Sequence, residues 1–138
     1  MREILFRGKR TDGQWIYGGL LKVTYDGNTY NLIFADNFLF VFGEATAMEH
    51  ACVDPATVGQ FTGLTDKNGK KIFEGDVVKV LQGKDKGIAC VGFENGAFML
   101  YPQTGNIYER TLWEYWYNDW EVEIIGNIHD NPELLENP

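Results

Sequence analysis

Apolar and polar residues alternate along most of the chain, and the alternating stretches are cut at short intervals by dipeptides that accept positive φ angles. Asp12-Gly13, Asp26-Gly27, Asn68-Gly69 and Asn95-Gly96 all suit tight type I′ hairpin turns, in which both central residues are left-handed. Between these marks, period-two alternation predicts strands over 14–25, 30–35, 57–61, 76–81, 88–93 and 97–101. Toward the C-terminus Trp120, Val122 and Ile124 alternate with Glu121 and Glu123, the pattern of a half-buried strand whose acids face water. Helical periodicity is confined to a short piece over 44–51 and a last turn over 132–136, where Pro132 suits the first helical position. The expected class is mainly β, built from antiparallel strands with minor helix.

At 138 residues the chain fits one domain that buries roughly two-thirds of its unfolded surface, enough for a core without disulfides or metal. Val53-Asp54-Pro55 is a candidate seam, because proline restricts the residue before it. The expectation is therefore a single domain over 1–138 in two lobes, about 1–55 and 56–138. Cys52 and Cys90 lack a CxxC spacing and read as reduced thiols. The N-terminus has no secretory pattern, and the most apolar run, Phe38 to Phe42, is far too short to span a bilayer. A soluble cytoplasmic protein is expected.

Charge changes the picture once it is located. The net charge is −8. Residues 1–86 carry 11 basic and 11 acidic side chains, whereas residues 87–138 carry Arg110 against nine acids. Such a chain is poorly suited to nonspecific duplex binding, which needs phosphate neutralisation by Lys and Arg.

The densest candidate chemistry lies in Thr62 to Val80, TGLTDKNGKKIFEGDVVKV. As a calcium loop counted from Asp66 it fails, with Lys71 where glycine is required and Val77 where a bidentate glutamate is required. Glu74 and Asp76 have the spacing of one strand face but no visible group to split their pKa values. The stretch reads as turn structure, with Asn68-Gly69 at a solvated tip. His50, Cys52 and Asp54 lack the fourth ligand of a structural zinc site, and no phosphate-cradling glycine motif is present. No cofactor, metal or catalytic residue is assigned. A nucleophilic pair of Cys90 with His129 would need a spatial contact that sequence does not supply.

The most unusual segment is WEYWYNDW, 113–120. Read as a strand, it places Trp113, Tyr115 and Tyr117 on one face and Trp116 and Trp120 on the other. Large aromatics on two faces imply either burial between layers or contact with another molecule, since Trp and Tyr are enriched in interface cores and stacking platforms.

The runs TVGQFTGLTDKNGKKIFEGDVVKV (57–80) and IGNIHDNPELLE (125–136), with the opening EILFRGKRTDGQWIYGGLL (3–21), resemble the YopX family of phage and prophage proteins. The resemblance implies a YopX-like, barrel-like β fold, working inside a bacterial cell and encoded by a phage or prophage. It carries no activity and no catalytic residues. Two functions are therefore weighed, ahead of an enzyme. The favoured one is a non-enzymatic, self-associating module that binds a host or phage protein through Trp113, Tyr115, Trp116 and Tyr117. The alternative is single-stranded nucleic-acid binding, with bases stacked on Tyr115, Tyr117 or Trp116 and phosphates met by Lys67, Lys70, Lys71, Lys84 and Lys86.

Overall fold

A computed structural model describes residues 3–34 and 51–135. Among the described residues the protein is mainly antiparallel β, and the chain divides into two compact units, Met1–Phe61 and Thr62–Pro138. The Val53-Asp54-Pro55 seam falls inside a strand, and the helix expected over 44–51 lies almost wholly outside the described residues.

In the first unit β1 (Phe6–Lys9), β2 (Trp15–Tyr25), β3 (Asn28–Phe34) and β4 (Cys52–Thr65) pair in succession, and β1 also pairs with β4. The four strands thus close on one another in a partly ring-like sheet that stops short of a true barrel; among the described residues β3 and β4 share only the register pairs Asn31↔Val53 and Leu32↔Cys52. Asp26 and Gly27 have φ of 52° and 80° between partners Tyr25 and Asn28, the two-residue type I′ turn that the sequence predicts. Leu32, Ile33, Val53 and Phe61 are buried. A Cβ on Gly8 would lie 2.8 Å from Val53 Cγ2, so the close approach of β1 to this cluster requires glycine. Thr57 Oγ1 accepts the Lys9 N–H at 2.8 Å and donates to the Asp54 carbonyl at 2.6 Å, which satisfies backbone groups where Pro55 interrupts pairing.

β4 runs on past Phe61 into the second unit, where β5 (Lys71–Phe73) pairs with it. A five-stranded antiparallel sheet follows, in the order β10 (Glu121–Asn127), β6 (Asp76–Gln82), β7 (Asp85–Glu94), β8 (Ala97–Gly105), β9 (Arg110–Thr111). Asn95 and Gly96 turn β7 into β8 with φ of 54° and 81°. One helix, α1 (Leu112–Tyr117), connects β9 to β10, and a 3₁₀ turn covers Pro132–Leu135. The core joins Ile72, Val78, Val80, Ala89, Val91, Leu100, Ile107 and Val122 to Leu112 and Tyr115 of α1. Burial of these side chains in contact is the main favourable contribution to this unit.

The segment 113–120 is where the structure departs from the sequence reading. It is a helix followed by a turn, and no strand runs through it. The reason is local. Thr111 caps the helix, its Oγ1 accepting the Glu114 N–H at 3.1 Å, the first bond of a Thr-x-x-Glu capping box, and donating to Glu114 Oε1 at 3.2 Å. The helix ends where Asp119 adopts φ of 61° and the Trp120 N–H bonds the Tyr115 carbonyl at 3.1 Å.

Candidate functional site

Helical spacing redistributes the aromatic residues. Leu112 and Tyr115 lie three apart and face the core, which leaves Trp113, Trp116 and Tyr117 pointing away from it. Tyr115 is 1 % exposed, whereas Trp113, Trp116 and Tyr117 are 54 %, 47 % and 62 % exposed. Tyr115, expected at the surface with its neighbours, is therefore an anchor. Its hydroxyl accepts the Tyr108 N–H and donates to the Tyr108 carbonyl. Burial pushes its pKa up, against the opposing effect of that backbone hydrogen bond. Trp120 meets the Tyr115 ring edge to face at 5.0 Å. Outside, Trp113 and Tyr117 stack at 4.7 Å with an interplanar angle of 17°, the pairing of positions i and i+4 on a helix surface.

A groove of about 430 Å³ runs beside this helix, lined by Thr65, Asp66, Lys67, Trp116, Tyr117, Asp119, Trp120, Glu121 and Val122. The 66–69 turn is held there by Asp66, which is 6 % exposed. Asp66 Oδ1 accepts the N–H groups of Asn68 and Lys70, each at 2.9 Å, and Oδ2 accepts that of Ile124 at 3.0 Å. The Lys67 N–H donates to the Val122 carbonyl at 2.9 Å, so the turn pairs with the free edge of β10. Burial works to raise the Asp66 pKa, but the backbone N–H groups of Ile124, Lys70 and Asn68, with the Lys70 charge, outweigh it and hold the carboxyl below its ordinary value. The carboxylate is committed to backbone donors and has a structural part.

Asp76 is buried likewise and accepts the Phe73 N–H at 2.8 Å. Gly75, with φ of 89°, donates to the Val91 carbonyl and accepts the Ile128 N–H at 2.8 Å. Ile128 opens a turn in which Asn127 Oδ1 accepts the N–H groups of His129 and Asp130, while Asn131 Oδ1 accepts that of Asn127. The sequence runs 57–80 and 125–136 therefore meet in space at Gly75–Ile128, with Asp66 bonded to Ile124 just before the second run, and what they build there is backbone support.

The five lysines are distributed differently. Lys67 lines the groove, with its Nζ 3.9 Å from both Glu121 Oε2 and Glu123 Oε1. Lys70 and Lys71 are exposed beside the same turn but do not line it. Lys84 is exposed in the β6–β7 turn, and Lys86 lines a separate cavity of about 280 Å³ with Lys79, Ile88 and Thr104. Cys90 Sγ lies 3.5 Å from Gln103 Nε2, and burial pushes its pKa up. Among the described residues no group of three or more His, Cys, Asp or Glu side chains is arranged to hold a metal ion, and no helix is long and apolar enough to cross a membrane. His50 lies outside the described residues.

Sequence reasoning missed the capping box at Thr111, the Asp66 cap and the pairing of Lys67 with Glu121 and Glu123. The first was readable as Thr-x-x-Glu. The bonds of Asp66 to Asn68 and Lys70 are local, whereas its bond to Ile124 and the Lys67 pairs join residues more than fifty positions apart, which no local signal reports.

These features define an all-β protein whose second unit carries an aromatic, acid-rimmed groove beside a short helix. The chain belongs to the YopX protein family, whose family model covers residues 5–136. No curated protein matches its sequence. Its structure is similar to the crystal structure of protein EF1440 from Enterococcus faecalis, with 23 % identity and a TM-score of 0.52 over 99 % of this chain and 100 % of that one. That likeness concerns the fold.

Proposed function

We propose that this is a cytoplasmic, phage- or prophage-encoded accessory protein, non-enzymatic, that self-associates and holds a host or phage protein through the outer face of α1. One observation carries the reading. On a six-residue helix, Leu112 and Tyr115 make the core contacts, while Trp113, Trp116 and Tyr117 stay exposed. Exposed aromatics of this size, set side by side, are characteristic of interface cores and hot spots. The non-enzymatic part is supported by Asp66, whose carboxylate, in the stretch richest in chemical groups, is engaged by three backbone N–H groups.

Single-stranded nucleic-acid binding is the second reading, favoured by Lys67 lying beside Trp116 and Tyr117. The carboxylates of Glu121 and Glu123 around that ammonium weigh against a phosphate there. The test is sedimentation velocity on wild type and Trp113→Ala/Trp116→Ala across a concentration series. Wild type is expected to show concentration-dependent association that the double variant loses with its circular dichroism unchanged. Equal association of the two proteins refutes the reading.

A further inference from the structure

We propose that the groove beside α1 receives an arginine side chain presented by a partner protein. The proposal rests on α1 as the contact face and adds the chemistry of what that face holds. Trp116, Tyr117 and Trp120 line the groove, and the negative faces of such rings attract cations. Asp119 and Glu121 line it too, with Glu123 two residues further along β10, in a part of the chain where Arg110 stands alone against nine acids. The groove complements a cation that can also stack.

It already holds a cation of its own. Lys67 Nζ lies 3.9 Å from one oxygen each of Glu121 and Glu123. At that distance, on an exposed side chain, the pair is weak and exchangeable. Lys67 thus occupies part of the position that a partner's charge would take. A guanidinium fits better than an ammonium, because it is planar and weakly hydrated, stacks on an indole and still offers N–H groups to a carboxylate. An apolar segment would strip water from Asp119 and Glu121 without replacing it.

The experiment is isothermal titration calorimetry of the full chain at low ionic strength with a capped peptide of alternating Gly and Arg, checked against Gly-Lys and Gly-Glu peptides and a single-stranded oligonucleotide. Saturable binding of the arginine peptide is expected, several-fold tighter than that of the lysine peptide. Trp116→Ala and the pair Asp119→Asn/Glu121→Gln should each weaken it about fivefold or more. The pair Asp12→Asn/Asp26→Asn changes net charge equally in the first unit and should leave affinity unchanged. Lys67→Met should tighten binding about two- to fivefold by removing the internal competitor.

Equal weakening by both charge-neutralising pairs, equal affinity for lysine and arginine, weaker binding by Lys67→Met, or tighter binding of the oligonucleotide or the glutamate peptide each overturns the assignment. Sedimentation of the same preparations separates the two levels. Loss of self-association in Trp113→Ala/Trp116→Ala without arginine binding overturns the arginine assignment and leaves the contact face standing. Unchanged association removes the reading beneath it.

Discussion

Asp66 accepts the backbone N–H of Ile124 at 3.0 Å across 58 residues of sequence, and this bond fixes the 66–69 turn against the edge of β10. The same carboxylate closes the turn itself through Asn68 and Lys70. Removing it leaves three backbone donors without their acceptor. Asp66→Ala is expected to cost roughly 2–4 kcal/mol, in line with charge-assisted hydrogen bonds in a buried setting. Urea unfolding checks this, and a loss below about 0.5 kcal/mol, typical of a surface substitution, contradicts it.

The pH dependence follows from the lowered pKa of Asp66. The folded state binds the proton less readily than the unfolded chain, so the carboxylate's contribution is complete above the ordinary aspartate value of about 4. It is lost as pH falls from there through the lowered folded value. Wild type and Asp66→Asn should therefore differ in stability at neutral pH and converge in acid. A gap that stays constant down to the lowest pH at which both fold would show that the charge is not what matters.

Tyr115 and its neighbours on α1 should separate cleanly in stability. Tyr115→Phe loses the two hydrogen bonds to Tyr108 and is expected to cost about 1–2 kcal/mol, whereas Tyr115→Ala costs about 3–5 kcal/mol by opening a cavity. Trp116→Ala, on the exposed side, should stay within about 0.5 kcal/mol. Thermal unfolding of the three variants gives the order, and a Trp116→Ala loss as large as that of Tyr115→Ala would place the indole in the core.

In the first unit Gly8 faces Val53 and Ile33 too closely for any side chain, with Val53 Cγ2 2.8 Å and Ile33 Cδ1 3.0 Å from the position of a Cβ. Gly8→Ala is expected to cost about 1–3 kcal/mol through overpacking. The compensating variant Val53→Ala should recover part of that loss in the Gly8→Ala background. Additive losses in a double-mutant cycle would mean that the two positions do not share the space.

What the sequence discloses and what it hides differ by range. Asp26-Gly27 and Asn95-Gly96 were legible because a positive φ is a local demand that few residues meet, and β6 and β7 because alternation survives in any sheet. The segment 113–120 was misread because Trp and Tyr are strand formers and their weight obscured the Thr-x-x-Glu cap at its start. Once the helix is restored, the face made of Trp113, Trp116 and Tyr117 follows from spacing alone. The groove does not. It needs the Asp66 turn and β10 to meet, and the two are brought together only when the second unit folds.

Affinity capture from bacterial host lysate at near-physiological salt, with and without nuclease, using the tagged wild type and Trp116→Ala side by side, shows whether the outer face of α1 holds a protein. A stoichiometric protein partner that survives nuclease and disappears with Trp116→Ala is expected. Capture that persists in Trp116→Ala, or that is lost on nuclease treatment, contradicts that expectation.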